Sequence, residues 1–261
     1  MSKLGRKQRM SNDEWTKAME EIEQSVSRAE LDALTAETVE SIQNTIDSKT
    51  AAYAWSGGKD SIVLAKVCQM AGVSMSMMGI CNLEYPAFLA WLMENKPEGC
   101  EVVNTGQDIE WLSKHPEMLF PQDSETSARW FSIVQHRAQR IYCKANDIDI
   151  LILGRRRADG NYVGRKTNIY TDGKGVTRYS PLADWSHEHI LAFIHYHGLS
   201  LPPIYSWEKG YLCGTHPWPA RQWTGNEENG WREVYSIDPN VVITAAEKLP
   251  GAKAYLEVAG R

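Results

Sequence analysis

The chain has 261 residues, of which 43% are hydrophobic and 10% aromatic, and a formal net charge of −5. This composition excludes a disordered protein and supports one substantial α/β domain with an appendage, or two small domains. The acidic balance argues against bulk electrostatic binding of nucleic acid while leaving room for local basic patches.

No apolar stretch reaches the roughly 18–20 residues that span a bilayer. The basic segment 1–10 has no apolar run behind it and so is not a secretory signal. Five cysteines (Cys68, Cys81, Cys100, Cys143 and Cys213) are scattered, with no Cys-x-x-Cys pair. These features predict a cytoplasmic protein with no membrane association, disulfide framework or iron–sulfur cluster.

In chain order, residues 11–47 come first. Trp15, Met19, Ile22 and Val26, then Leu31, Leu34, Val39, Ile42 and Ile46, recur at helical spacing behind a Ser11-Asn12-Asp13-Glu14 start. The pattern predicts a helical extension that packs on the domain or on a second subunit. Residues 51–55 (Ala-Ala-Tyr-Ala-Trp) read as a first strand, and 60–71 as an apolar helix ended by Gly72. A second strand is expected at 75–80, a helix at 86–95 and a third strand at 101–104. Helices follow at 107–114 and 124–145, then a fourth strand at 149–153. Such alternation predicts a parallel sheet wrapped by helices, with ligands at the carboxyl ends of its strands. Beyond Gly154-Arg155-Arg156-Arg157, residues 161–170 and 175–179 flank Asp172-Gly173 as a hairpin. A helix at 186–198, a stretch rich in Trp, Pro and Gly after Gly210, and a final helix near 244–257 complete the chain.

The junction of the first strand and its helix carries the chemistry. Ser56-Gly57-Gly58-Lys59-Asp60-Ser61 joins two glycines, two hydroxyls and a lysine to a helix start. Glycines let the backbone approach an anion closely, and the helix N-terminus offers unpaired N–H groups. Phosphate is the ligand that suits such a corner. The loop is not a Walker A motif, because Tyr53 stands where its first glycine belongs and Asp60 follows the lysine.

What the loop does resemble is the PP-loop of ATP pyrophosphatases, which cut ATP between its α and β phosphates. Gly154-Arg155-Arg156, Pro181-Leu182-Ala183-Asp184-Trp185-Ser186, Leu201-Pro202-Pro203-Ile204-Tyr205 and Gly210-Tyr211 follow in order. Together these segments resemble the phosphoadenosine phosphosulfate (PAPS) reductase family across roughly residues 50–222. The likeness implies a Rossmann-like, adenine nucleotide alpha hydrolase-like α/β fold. It further implies a helical extension over 1–48, a nucleotide-binding domain over 49–225 and a tail with a helix over 226–261.

By resemblance, Ser56, Gly57, Gly58, Lys59 and Ser61 hold phosphates, and Asp60 ligates Mg²⁺ directly or through water. Gly154 and Arg155 contact the ligand, and Lys59, Asp60, Arg155 and Arg156 serve the chemistry, since a guanidinium pairs with phosphate or sulfate in two-pronged fashion. Asn82, with Glu84, follows the second strand, where relatives bind the adenosine half. ATP with Mg²⁺ is the expected cofactor pair. The expected partners are an adenine nucleotide, an unknown second substrate, and a homodimer mate or partner subunit.

The family's sulfonucleotide reductases require a nucleophilic cysteine in a C-terminal Glu-Cys-Gly-x-His string. Cys213-Gly214-Thr215-His216 copies part of it, but Leu212 replaces the glutamate and no cysteine follows. A redox thiol at Cys213 is therefore the rival expectation, and a non-catalytic nucleotide-binding module is a third. The histidines His187, His189, His195 and His197 lack the spacing of a metal pair on a helix. Trp207, Trp218, Trp223 and Trp231, interleaved with Arg221 and Arg232, would serve either base stacking or the packing of a C-terminal lid.

Overall fold

The computed structural model describes residues 10–165 and 167–259. Six strands, β1 (Ala51–Ala54), β2 (Ser76–Ile80), β3 (Glu101–Asn104), β4 (Ile150–Ile152), β5 (Ile169–Thr171) and β6 (Thr177–Tyr179), form one sheet in the order β3-β2-β1-β4-β6-β5. All neighbours are parallel except β5, which runs antiparallel to β6 as the hairpin arm expected around Asp172. The chain leaves β1 in one direction to build β2 and β3 and returns to its other side as β4. The β1/β4 boundary is thus where strand order reverses, the place where an open α/β sheet forms a ligand crevice. Ala52 pairs with Leu151 and Tyr53 with Ile152, so Ser56 and Gly154 emerge side by side from this boundary.

Twelve helices surround the sheet among the described residues: α1 (Asn12–Glu20), α2 (Arg28–Ile46), α3 (Lys59–Met70), α4 (Pro86–Asn95), α5 (Ile109–Ser113), α6 (Ser124–Phe131), α7 (Arg137–Ala145), α8 (His187–Tyr196), α9 (Gly210–Cys213), α10 (Glu227–Ile237), α11 (Pro239–Ala245) and α12 (Pro250–Ala259). Alternate strand residues feed two cores. Tyr53, Met78 and Ile152 join the larger one, beneath the helices α3 and α8. Ala52, Met77 and Leu151 face Ala138 and Tyr142 of α7 on the other side.

The helical extension over residues 11–47 consists of two helices, α1 and α2. Ile22–Gln24 forms a 3₁₀ turn, and Ser27 starts α2 by accepting from the Glu30 amide. This extension packs on its own domain. Trp15 is fully buried, the Trp185 indole donates to Thr38 Oγ1 at 3.1 Å, and Asn12 spans to the Trp207 carbonyl and the Tyr211 amide. The single C-terminal helix expected from the sequence is corrected to three. Pro239 and Pro250 each open a new helix, because proline suits a first turn and cannot continue an existing one. Trp231, Val242 and Ala252 carry this segment into the larger core.

Candidate functional site

Beyond Ala54 the chain turns through Gly57, whose φ is +69°, and enters α3 with Gly58 as its N-cap. A Cβ on Gly57 would stand 2.3 Å from Cδ2 of Leu92, so α4 requires glycine there for space as well as for conformation. Ser61 ties the loop together. Its hydroxyl donates to the Gly58 carbonyl at 2.9 Å and accepts from the Ser56 amide at 3.1 Å. Gly154, at the end of β4, touches this loop, and a Cβ there would lie 3.1 Å from the Asp60 carbonyl. The loop, Asp60, Gly154 and Arg155 line a cavity of about 410 Å³.

The structure separates Lys59 from its expected position against phosphates. Its side chain is 2% exposed and lies off the cavity, with Nζ 2.8 Å from Asp60 Oδ2 and 5.5 Å from the centre of a Trp15 ring. Asp60 borders the cavity, and its Oδ1 accepts from Nε of Arg156 at 2.8 Å. Arg156 is the second displaced residue. It is 0% exposed and also pairs with Asp159 at 2.8 Å, the Trp185 carbonyl and Nδ1 of His187. Burial and the Arg156 guanidinium depress the His187 pKa to about 4, which leaves the ring neutral. Lys59, Asp60, Arg156 and Asp159 therefore form a charge-balanced cluster behind the loop, capped by Trp15, which meets His187 edge-on and stacks on Tyr211.

Arg155 takes the opposite course. It lines the cavity, donating to the Tyr170 hydroxyl at 2.7 Å and to Nε2 of His136 at 2.8 Å. Its neighbour Arg156 has extended backbone (φ −130°, ψ 149°), in which adjacent side chains point to opposite sides. His136 lies in a π-helical turn, Ser132–His136, which joins α6 to α7. Burial and three nearby arginines lower its pKa to about 4, so the neutral ring can accept from Arg155. This wall was not apparent from sequence, since a π turn leaves no periodic signature. Tyr205 is a further addition. Its hydroxyl accepts from the Lys59 amide at 2.7 Å, at the N-terminus of α3, and the ring lines the cavity.

A resident magnesium ion does not fit the expected ligand. Both carboxylate oxygens of Asp60 are engaged by cations, Oδ2 by Nζ of Lys59 and Oδ1 by Nε of Arg156, each at 2.8 Å. Asn82 is exposed and outside the cavity lining, with its side chain accepting from Asn104 at 2.6 Å. Glu84 is buried, and desolvation raises its pKa to about 7.

Cys213 borders the cavity, yet it is 7% exposed and burial pushes its thiol pKa up. Trp218 and Trp231 are buried, and Arg221 is buried against Glu233 at 2.8 Å, so most of the tryptophan–arginine stretch packs the core. Trp223 alone of its tryptophans is mostly exposed. His187 and His189 serve the start of α8, where His189 Nδ1 accepts from the Ser186 amide, while His195 meets Glu23 at 2.8 Å. No helix of the described residues is long and apolar enough to cross a membrane.

A PAPS reductase from Emericella nidulans is 30% identical over 99 residues, a stretch equal to 38% of this chain and 30% of that protein's length. A PAPS reductase from Candida auris, solved as a phosphate complex, superposes with a TM-score of 0.50 at 13% identity, covering 69% of this chain and 92% of the other. A U34-tRNA thiolase from Methanococcus maripaludis gives a TM-score of 0.46 at 16% identity, over 87% of this chain and 80% of its own. The model of the phosphoadenosine phosphosulfate reductase domain matches residues 50–213. That span runs from the threshold of β1 to Cys213 and takes in the loop, Gly154-Arg155 and Tyr205, and on it the chain belongs to the PAPS reductase domain family.

Proposed function

We propose that the chain is an adenine-nucleotide enzyme that cleaves ATP between its α and β phosphates and adenylylates a second substrate. One observation carries this reading: an intact glycine–serine phosphate loop opens, at the reversal point of the sheet, into the same cavity as Arg155. In the reaction an acceptor oxygen, nitrogen or sulfur attacks the α phosphorus. The bond to the bridging oxygen breaks, pyrophosphate leaves with the electron pair, and the acceptor's proton passes to solvent. The residues suited to assist are Ser56, the amides entering α3, and Arg155, with Ser61 holding the loop in shape through the Gly58 carbonyl. They neutralise and orient the triphosphate, and transfer at phosphorus needs positioning and charge stabilisation more than a protein nucleophile.

The rival within the family is a thiol-dependent sulfonucleotide reductase, which the position of Cys213 on the cavity wall favours. Its raised thiol pKa opposes it, because the thiolate is the nucleophile. Pyrophosphate release from ATP is measured beside sulfite release from PAPS with thioredoxin. Pyrophosphate without sulfite, and a fully active Cys213→Ser variant, are the expected results. Sulfite release that Cys213→Ser abolishes would overturn the proposal.

A further inference from the structure

The continuous segment formed by α6, the π turn and α7 separates two concavities. One of its faces lines the nucleotide cavity, through Phe131, His136 and Gln139. The other borders a groove of about 350 Å³ walled by Arg129, Arg137 and Arg140, with Trp111 and His115 also lining it. Over residues 124–145 the chain carries Arg129, Arg137, Arg140 and Lys144 against a single acid, Glu125. This is a local excess of three positive charges in a chain whose net charge is −5. Arg129 has only a distant acid partner, Glu117 at 3.7 Å. The guanidinium groups of Arg137 and Arg140 make no ion pair or hydrogen bond among the described residues. The Trp111 and His115 rings are stacked, 4.3 Å apart and 14° from parallel.

We infer that this groove binds a single strand of nucleic acid and presents it as the acceptor substrate, an inference that rests on the adenylylation reading above. A lone phosphate would occupy one or two guanidinium groups. Here the arginines are spread along the helix, roughly 12 Å from Arg129 to Arg137 and a further ~4.5 Å to Arg140 at 1.5 Å per residue. That spread, beside paired flat rings, suits a repeating anion that carries bases, since basic grooves with aromatic platforms are how single strands are held. The groove and the cavity share one helical wall about 10–12 Å across. Phe131, 44% exposed, lines the cavity and its chain neighbour Ser132 lines the groove, so the crest between the two falls at these residues. A nucleotide bent over that crest reaches the α-phosphate side of the loop.

The test is fluorescence anisotropy with labelled 15-nucleotide single strands of RNA and DNA, titrated between 50 and 200 mM salt. A fluorescent ATP analogue is titrated in parallel. Three neutralised phosphates predict a fall in strand affinity of about 20-fold over that range, and one predicts about threefold. Wild type should show the steeper dependence, and an Arg129→Gln/Arg137→Gln variant should show weaker binding and the shallower one. Analogue affinity should be unchanged in that variant. Wild type that binds the analogue but neither strand would overturn the inference while leaving the nucleotide reading intact. So would a variant that binds strands normally, or polyglutamate competing as well as an unlabelled strand, which would mark an acidic-protein surface instead. Failure to bind the analogue would instead strike the adenylylation reading.

Discussion

Arg155 and Arg156 are adjacent and chemically identical, yet their replacement by methionine should give opposite phenotypes. Arg156 is fully buried and satisfies Asp60, Asp159, the Trp185 carbonyl and His187. Methionine fills part of the volume but leaves Asp159 without its cation and removes the Arg156 guanidinium from Asp60. Breaking a buried ion pair from one side costs about 3–5 kcal/mol. For a chain of this size each kcal/mol lowers the melting temperature by about 2–4 °C, so a fall of roughly 6–20 °C is expected.

Arg155→Met removes two hydrogen bonds from the cavity wall, where Tyr170 and His136 can be rehydrated, so its melting temperature should stay within a few degrees. It should instead lose the charge-assisted contact to phosphate, worth about 1.5–3 kcal/mol, or a tenfold to hundredfold weaker nucleotide. Thermal melts and calorimetric titration of ATP on both variants provide the comparison. An Arg156→Met protein that melts like wild type while losing nucleotide would refute the assignment of the two sides.

Three more tests bear on the same architecture. Gly57→Ala imposes a left-handed φ on a residue with a Cβ and drives it against Leu92, which should cost about 2–5 kcal/mol and lower nucleotide affinity; a wild-type melt would exclude that packing. Trp15→Ala should destabilise the domain by about 3–5 kcal/mol without changing oligomeric state, checked by melts and light scattering. Glu84→Gln tests pH linkage. The folded-state pKa of Glu84 is raised from 4.5 to about 7, so its proton is retained on folding and its cost grows as pH rises from 4.5 through 7. The variant should gain stability over wild type at pH 8 and lose that advantage near pH 5, whereas a pH-independent difference would exclude the buried acid as its source.

The strands, the hairpin and the glycine turn into α3 were legible because each writes a local signal: β-type runs, Asp172-Gly173, paired glycines before an apolar helix. Side-chain direction was not. Lys59 and Asp60 are neighbours at the start of a helix, where one step turns the side chain by about 100°, enough to put Asp60 on the cavity and Lys59 against Trp15. The alternation of extended backbone hid the difference between Arg155 and Arg156 in the same way. His136 and Tyr205 reach the cavity from 75 and 144 residues beyond Ser61, and no short-range pattern in the chain encodes that convergence. In the tryptophan-rich stretch, composition was compatible with a surface platform or with a core, and the Glu233 partner that buries Arg221 decides between them.

The loop's lysine and aspartate have a consequence for any ligand in the cavity. Two cations, Lys59 and Arg156, and two acids, Asp60 and Asp159, neutralise one another behind the loop, with His187 kept uncharged. With those charges paired, the start of α3 and Arg155 are the positive features that line the cavity. A nucleotide held this way gains from fixed dipoles that need no reorganisation as charge develops on the leaving pyrophosphate. Freeing Lys59 to reach a phosphate would require it to leave both Asp60 and the Trp15 ring. Lys59 thus holds the carboxylate wall from behind, and the N-terminal helix that supplies Trp15 supports the cavity although it never borders it.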